Sequence, residues 1–426
     1  MVQLNNTFKQ LAVRDESTRS KQGPASRTKP ATSTSLASGA TPDLSRATTR
    51  LLQLVSRLSA PLRRSNRFTP TLQHVKSLLY NKEYLAAFGT ESDEGEQWRE
   101  VYFARWTPAR AVLYHRAFQE LRIAEILGWE ENERDRERLE LAAERQRKRG
   151  GVAPAAASSS GEPVDGPPPA TTATDGAAEA KEVIMIGSGA GAELLALGCV
   201  LGSAPSVEGR ARSPIKVRAI DQGSWGGLVT KMDAGMKEEW PLTLSQMDLE
   251  FVQGDLLSAY SVAPPPPPPS SPENEPSTTT TTTTTPSLPA VKLDLGSPRL
   301  KLVTILFTIT ELLLQSRVST LRFLSTLTSD APRGLHLLII ESASLALIPI
   351  GTSGRTYPLG TLLDHALCGS GGQAGKWEVV KSEEAKWFRM PDGAEDVYNR
   401  DVAETGKGIK VKLENSRVVL RLYRKL

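Results

Sequence analysis

The chain has only two cysteines, Cys199 and Cys368, among 426 residues. That excludes a disulfide framework and any cysteine-rich zinc site, and no metal is expected. Long apolar runs are also missing. No stretch reaches the length of a membrane span, and the N-terminus lacks the apolar core of a secretory signal, so an intracellular protein without a membrane partner is expected. Excess charge is scarce, at a net +4, but residues 1–80 carry 13 Lys and Arg against 3 Asp and Glu. A basic end of this kind favours an anionic partner, nucleic acid being the commonest. The plain alternative is an arm that only keeps the protein soluble.

Residues 1–48 are Ser, Thr, Ala and basic residues without a sustained period, which reads as a disordered basic arm. Residues 49–149 read as a helical module. Leu51, Leu52, Leu54, Val55 and Leu58 predict a short helix broken at Pro61, and 74–88 predicts a second. Thr107 followed by Pro108 looks like an N-cap with proline at the first helical position, opening a helix that closes at Gly128. Just ahead stand Tyr102, Phe103, Arg105 and Trp106, an aromatic–basic cluster. Residues 130–149 alternate charge like a solvated helix end. Residues 150–180 form a low-complexity linker. The rest, 181–426, reads as one α/β domain. It is interrupted at 262–290 by six prolines from Pro264 to Pro269 and eight threonines from Thr278 to Thr285. Such a tract is an extended, solvated insertion in a loop.

The informative stretch is EVIMIGSGAGA, 182–192. A short apolar run stops at Gly187, three glycines alternate with small residues, and helix formers resume at Glu193. That is strand, glycine turn, helix. Glycines suit a sharp turn that lets a ligand approach the backbone. Gly187-x-Gly189-x-x-Ala192 fits a dinucleotide fingerprint, and Gly187-x-Gly189-x-Gly191 fits the loop of S-adenosylmethionine (SAM) methyltransferases. The loop by itself does not choose between them, and a tight turn in a buried unit is the bland reading.

Downstream strands discriminate. IKVRAI, 215–220, ends at Asp221, where a carboxylate can accept both ribose hydroxyls of an adenosine; otherwise Asp221 is an exposed turn residue. A third strand leads into Gly254-Asp255. An acid there can receive the adenine amino group of SAM, though Gly-Asp is also an ordinary turn. LKLVTILF, 300–307, is apolar throughout, as a central parallel strand should be. It runs into Thr308, Thr310 and Glu311, at the sheet edge where open α/β folds place their chemistry. The alternative for Glu311 is an acid that merely suits a helix N-terminus. LHLLII, 335–340, ends at Glu341. Residues 377–381, the segment around 387–390 and 416–426 can finish the sheet, with a C-terminal antiparallel hairpin whose last strand has one less buried face.

In that order the pieces resemble a fungal family of SAM-dependent methyltransferases, one that includes a yeast enzyme acting on N(3) of a uridine in large-subunit ribosomal RNA. YFARWTPARAVLYHRAF (102–118), IGSGAGAEL (186–194), AIDQGSW (219–225), FTITEL (307–312) and IIES (339–342) carry the likeness. It implies a class I α/β fold, a Rossmann-like seven-stranded sheet behind an N-terminal helical module. It implies SAM as cofactor, contacted by Gly187, Gly189, Gly191, Asp221 and Asp255. Ribosomal RNA in a pre-ribosomal particle would be the partner, and a nucleolar or cytoplasmic monomer is expected. It assigns no catalytic residue.

Uridine N(3) must lose its imino proton, which calls for a base. Glu311 is the carboxylate best placed, with Glu341 second. Tyr102, Phe103, Arg105, Trp106 and Arg110, with Thr308 and Thr310, are the candidates for holding the acceptor base, since an unstacked base is gripped by aromatic and Arg planes. The aromatic cluster could equally pack the small module onto the large one. Rival readings are an NAD(P)-dependent oxidoreductase, a non-catalytic RNA-binding assembly factor, and a protein or small-molecule methyltransferase.

Overall fold

Alternation organises the molecule. In β1 (Lys181–Ile186), Val183 and Met185 join one apolar cluster while Ile184 and Ile186 join another. Successive side chains of a strand point to opposite faces, so both faces of the sheet are covered. The computed structural model describes residues 43–129, 179–204, 213–240, 242, 246–261, 288–350, 355–369 and 376–426. The arm up to residue 42, the charged stretch 130–149, all but the end of the linker, and the bulk of the Pro/Thr insertion lie outside the described residues.

Among the described residues four helices longer than one turn precede the sheet: α1 (Arg46–Arg63), α2 (Phe68–Tyr80), α3 (Tyr84–Gly89) and α4 (Asp93–Glu120), followed by a single turn at Ile123–Ile126. Three expectations fail here. Pro61 does not break α1 but sits in its last turn, and 74–88 is divided between α2 and α3. Nor does Thr107 open a helix. Ser92 does, its hydroxyl accepting from Gly95 N at 3.1 Å with acids following in the first turn, and α4 runs through Pro108. A proline inside a helix leaves the carbonyl four residues back without its donor. That carbonyl is Ala104 O, and the Tyr398 hydroxyl donates to it at 2.7 Å. The helix survives its proline because a distant side chain replaces the missing bond.

After β1 come α5 (Ala192–Ser203), β2 (Ile215–Asp221), α6 (Gly226–Glu239), β3 (Met247–Gln253) and β4 (Leu300–Leu306). Then follow α7 (Ile309–Gln315), α8 (Arg317–Asp330) and β5 (His336–Ser342). A small hairpin of β6 (Leu347–Ile350) and β7 (Arg355–Pro358), which the sequence did not suggest, leads into α9 (Leu359–Cys368). The last sheet strands are β8 (Trp377–Phe388) and β9 (Ser416–Lys425). The sheet order is β3-β2-β1-β4-β5-β9-β8. The first five strands are parallel and β9 is antiparallel to both β5 and β8. This is the seven-stranded order of class I methyltransferases. Among the described residues no helix is long and apolar enough to cross a membrane.

Strand β8 is one element, not two, because bulges after Val379 and Glu383 let it continue. Strand β9 has no less buried face: Val418 through Tyr423 are all buried. Its place between β5 and β8 is the reason. Arg421 tolerates this because Asp364 and Glu384 pair with it, and Asp364 also accepts from the Tyr423 hydroxyl at 2.6 Å. The first face of the sheet is packed by α1 and α4 together with α5 and α6 in a single apolar cluster. The N-terminal helices thus reach the carboxyl ends of the parallel strands.

Candidate active site

At those strand ends lies a cavity of about 130 Å³ that is open at its mouth, smaller than the roughly 300–1,000 Å³ of drug-sized ligand pockets. The sheet side contributes Gly187, Ala190, Asp221, Gly254, Leu256, Phe307, Thr308 and Glu311, and the helical side Tyr84, Phe88, Tyr102 and Arg110. Helix α4 is tied to the glycine turn directly, since the Thr107 hydroxyl donates to Ala190 O at 2.9 Å.

Gly187 and Gly191 both have φ 72°, the left-handed region that favours glycine. A Cβ at Gly189 would stand 1.9 Å from Trp225 Cδ1, and one at Gly187 would stand 2.2 Å from Thr308 Oγ1. The glycines therefore admit neighbouring side chains as well as bending the chain. Their amides are engaged inside the fold. Gly187 N donates to Ile220 O at 2.8 Å, Gly191 N to Ser188 O at 2.8 Å, and Gly189 N to Asp221 Oδ2 at 3.0 Å.

Asp221 is the hub. Its Oδ1 accepts from Gly223 N at 2.8 Å and from Trp225 Nε1 at 3.1 Å. Burial pushes its carboxyl above the ordinary range, and these hydrogen bonds pull part of the way back. The Gln222 amide adds to the same donors around the carboxylate. Asp255 flanks the cavity between Gly254 and Leu256, with Oδ1 accepting from Leu257 N at 2.9 Å and Gln222 Nε2 at 3.0 Å.

Glu311 faces the cavity at the start of α7, and no cation lies within ion-pair distance among the described residues. Burial, then the nearby Glu341, push its carboxyl up to about 8, while Arg110 opposes them. Glu341 is buried beside it and turned away, accepting from Thr310 N at 3.2 Å, Thr310 Oγ1 at 2.6 Å and Ser342 N at 2.8 Å. Thr310 thus turns its hydroxyl to Glu341 and not to the cavity, whereas Thr308 lines it.

Of the aromatic cluster, Tyr102 lines the cavity and Trp106 stands behind it, ring centroids 4.7 Å apart. Arg105 points elsewhere, to Glu414. The cavity side of α4 is occupied by Arg110. The residues the sequence reading did not single out are Tyr84, Phe88, Trp225 and Phe307. Phe88 and Trp225 pack at 5.0 Å. Phe307 has φ 56°, a strained conformation for a bulky residue and one that collects at functional sites. Trp225 sits within AIDQGSW, yet nothing in that string says that its indole covers Gly189.

The sequence profile of a family described as "Putative SAM-dependent methyltransferase" matches residues 56–424. The chain belongs to this family. It is also 25% identical over 375 residues to the 25S rRNA (uridine(2843)-N(3))-methyltransferase of Saccharomyces cerevisiae, a match covering 83% of this chain and 77% of the yeast protein. Among solved structures it is similar to a SAM-dependent methyltransferase of Methanosarcina mazei (TM-score 0.28, 12% identity, 58% of this chain and 93% of that one). TehB of Haemophilus influenzae is another (TM-score 0.27, 11% identity, 57% of each chain). Scores this low carry no argument, and the fold rests on the strand order.

Membership implies SAM, and the residues present fit it. A carboxylate at the strand tip suits the ribose, and the glycine turn beside it suits a cofactor laid across the strand ends.

Glu193, buried in the first turn of α5, accepts from the Thr304 hydroxyl. Burial pushes its carboxyl up to about 8, partly offset by that bond. The folded state therefore holds a proton that the unfolded chain releases near an ordinary glutamate pKa, so stability is lost as pH rises from about 4.5 towards 8. Each such group contributes a slope of up to about 1.4 kcal/mol per pH unit. Glu193→Gln is expected to flatten that slope in urea unfolding between pH 5.5 and 7.5. An unchanged slope would show that Glu193 is ionised in the native protein.

Proposed function

We propose that the protein methylates N(3) of a uridine in large-subunit ribosomal RNA, with Glu311 as the group that takes the imino proton. The observation that carries the chemistry is Glu311 itself: a cavity-facing carboxylate without an ion-pair partner, its pKa raised towards neutrality. General bases are tuned into that range by burial and like-charged neighbours. The choice of acceptor is supported by the printed activity of the yeast relative.

SAM supplies the methyl group from its sulfonium by in-line displacement, so the protein's part is mostly positioning. Asp221 takes the ribose hydroxyls, and the glycine turn, pinned through Gly189 N, lets the cofactor lie across the strand ends. Tyr102 and Phe307 line the cavity, where an extruded base is held against aromatic side chains. Thr308 offers a hydroxyl beside it. Glu311 accepts the N(3) proton as the N(3)–CH3 bond forms. Asp255 receives the adenine amino group on the oxygen that its loop leaves free. Trp106 backs Tyr102 from behind, the basic N-terminal end contacts phosphates, and affinity for RNA falls with salt. A monomer acting on pre-ribosomal particles in the nucleolus or cytoplasm completes the reading.

Incubating the full chain with SAM and unmodified large-subunit ribosomal RNA, followed by nucleoside mass spectrometry, is expected to yield 3-methyluridine. Methyl label appearing in protein or small molecules and absent from RNA would discard the RNA substrate.

A further inference from the structure

Arg110 has no ion-pair partner among the described residues, and the nearest acids, Glu311 and Glu341, act on it only through space. It lies three residues beyond Thr107, whose hydroxyl holds Ala190 O of the glycine turn. Residues three apart share a helix face, so the guanidinium is carried over that turn. Nη1 donates to the Tyr102 hydroxyl at 2.6 Å. The guanidinium carbon lies 5.1 Å from the Phe307 ring centroid and 5.7 Å from that of Tyr102. Among the described residues no carboxylate pairs with it, and Nε and Nη2 have no hydrogen-bond partner, while the residue lines the cavity.

A guanidinium set among aromatic rings loses hydration and needs an anion in return. The turn below it makes the same demand from the other side. All three glycine amides are engaged by Ile220, Asp221 and Ser188, so an anion laid over them finds little backbone to bind. The cofactor of this family has one permanently negative group. We propose that Arg110 binds the methionyl carboxylate of SAM, through the Nε and Nη2 donors that the protein leaves open. The paired geometry of a guanidinium and a carboxylate suits that task better than a lysine point charge. Tyr102, bonded to Nη1, holds the guanidinium plane in place. The assignment rests on the cofactor and not on the RNA acceptor.

The binding measurements need no RNA. The full chain is titrated calorimetrically with SAM and with decarboxylated SAM, which differ only in that carboxylate. The parent is expected to favour SAM by about 10- to 100-fold, the worth of a charge-assisted pair. Arg110→Met is expected to lose that preference while binding the decarboxylated ligand within about twofold of the parent, which also shows that the variant is folded. Arg110→Lys should keep part of the preference and carries the test by itself if the Met variant does not fold. An unchanged preference for SAM in either variant overturns the proposal. So does equal loss of both ligands, which would mark Arg110 as packing. Parental SAM affinity with impaired methyl transfer would move Arg110 to the acceptor base and also overturn it. A parent that binds neither ligand would remove the cofactor assignment itself.

Discussion

Glu311→Gln is expected to leave SAM affinity within about threefold of the parent and to lower methyl transfer by about 10²–10⁴-fold, the usual contribution of a positioned proton acceptor. Gln keeps the size of the side chain and removes its ability to take a proton. The parent should also show a pH dependence that the variant lacks. Only the ionised carboxylate can act as base, so kcat/KM rises with pH and levels off above the carboxyl's pKa of about 8. A sulfonium brought into the cavity favours the ionised form, so the corresponding limb in kcat should lie at lower pH. Single-turnover rates between pH 6 and 9 measure both. Normal turnover in the variant would remove Glu311 from the proton path. Weakened SAM binding with unchanged kcat would place it on the methionyl ammonium instead.

Asp221→Ala is expected to weaken SAM binding by about 10- to 150-fold, the loss of charge-assisted hydrogen bonds to a sugar. The same change strips the acceptor from Gly189 N, Gly223 N and Trp225 Nε1. Unfolding should therefore remain cooperative but cost about 1–3 kcal/mol for donors left unpaired. Calorimetric titration and urea unfolding separate the two effects. SAM affinity within threefold of the parent, with the predicted stability loss, would make Asp221 a brace for the turn and not a cofactor ligand. Gly189→Val attacks the same place sterically, because a side chain there meets the Trp225 indole.

The helix that carries Arg110 shows where pattern reading stops. Thr-Pro is a sound local signal for a helix start, yet α4 begins at Ser92 and passes through the proline, because the Tyr398 hydroxyl caps the freed carbonyl. Tyr398 is 290 residues beyond Pro108, and no window on the sequence contains both. The error matters for function. A helix starting at Thr107 leaves Tyr102, Arg105 and Trp106 as a loop platform. One continuous helix sorts them by face, turning Arg105 to Glu414 and Arg110 to the cavity.

The acids behave similarly. Glu311 and Glu341 both end up at the carboxyl edge of the sheet, as strand reading requires. Which of them is free was undetermined until Thr310 and Ser342 were seen to engage Glu341.

By itself the sequence determined the strand–glycine turn–helix unit, Asp221 at the tip of the next strand, the apolar central strand and the family. The first three are set by periodicity and steric rules acting over a few residues, whereas the family rests on the resemblance of whole motifs. Only the tertiary structure decided that Trp225 lies over Gly189, that Arg110 stands unpaired, that Glu311 is the open carboxylate and that β9 is buried on both faces. Burial, charge pairing and pKa depend on groups brought together across hundreds of residues, and short-range pattern carries no record of them.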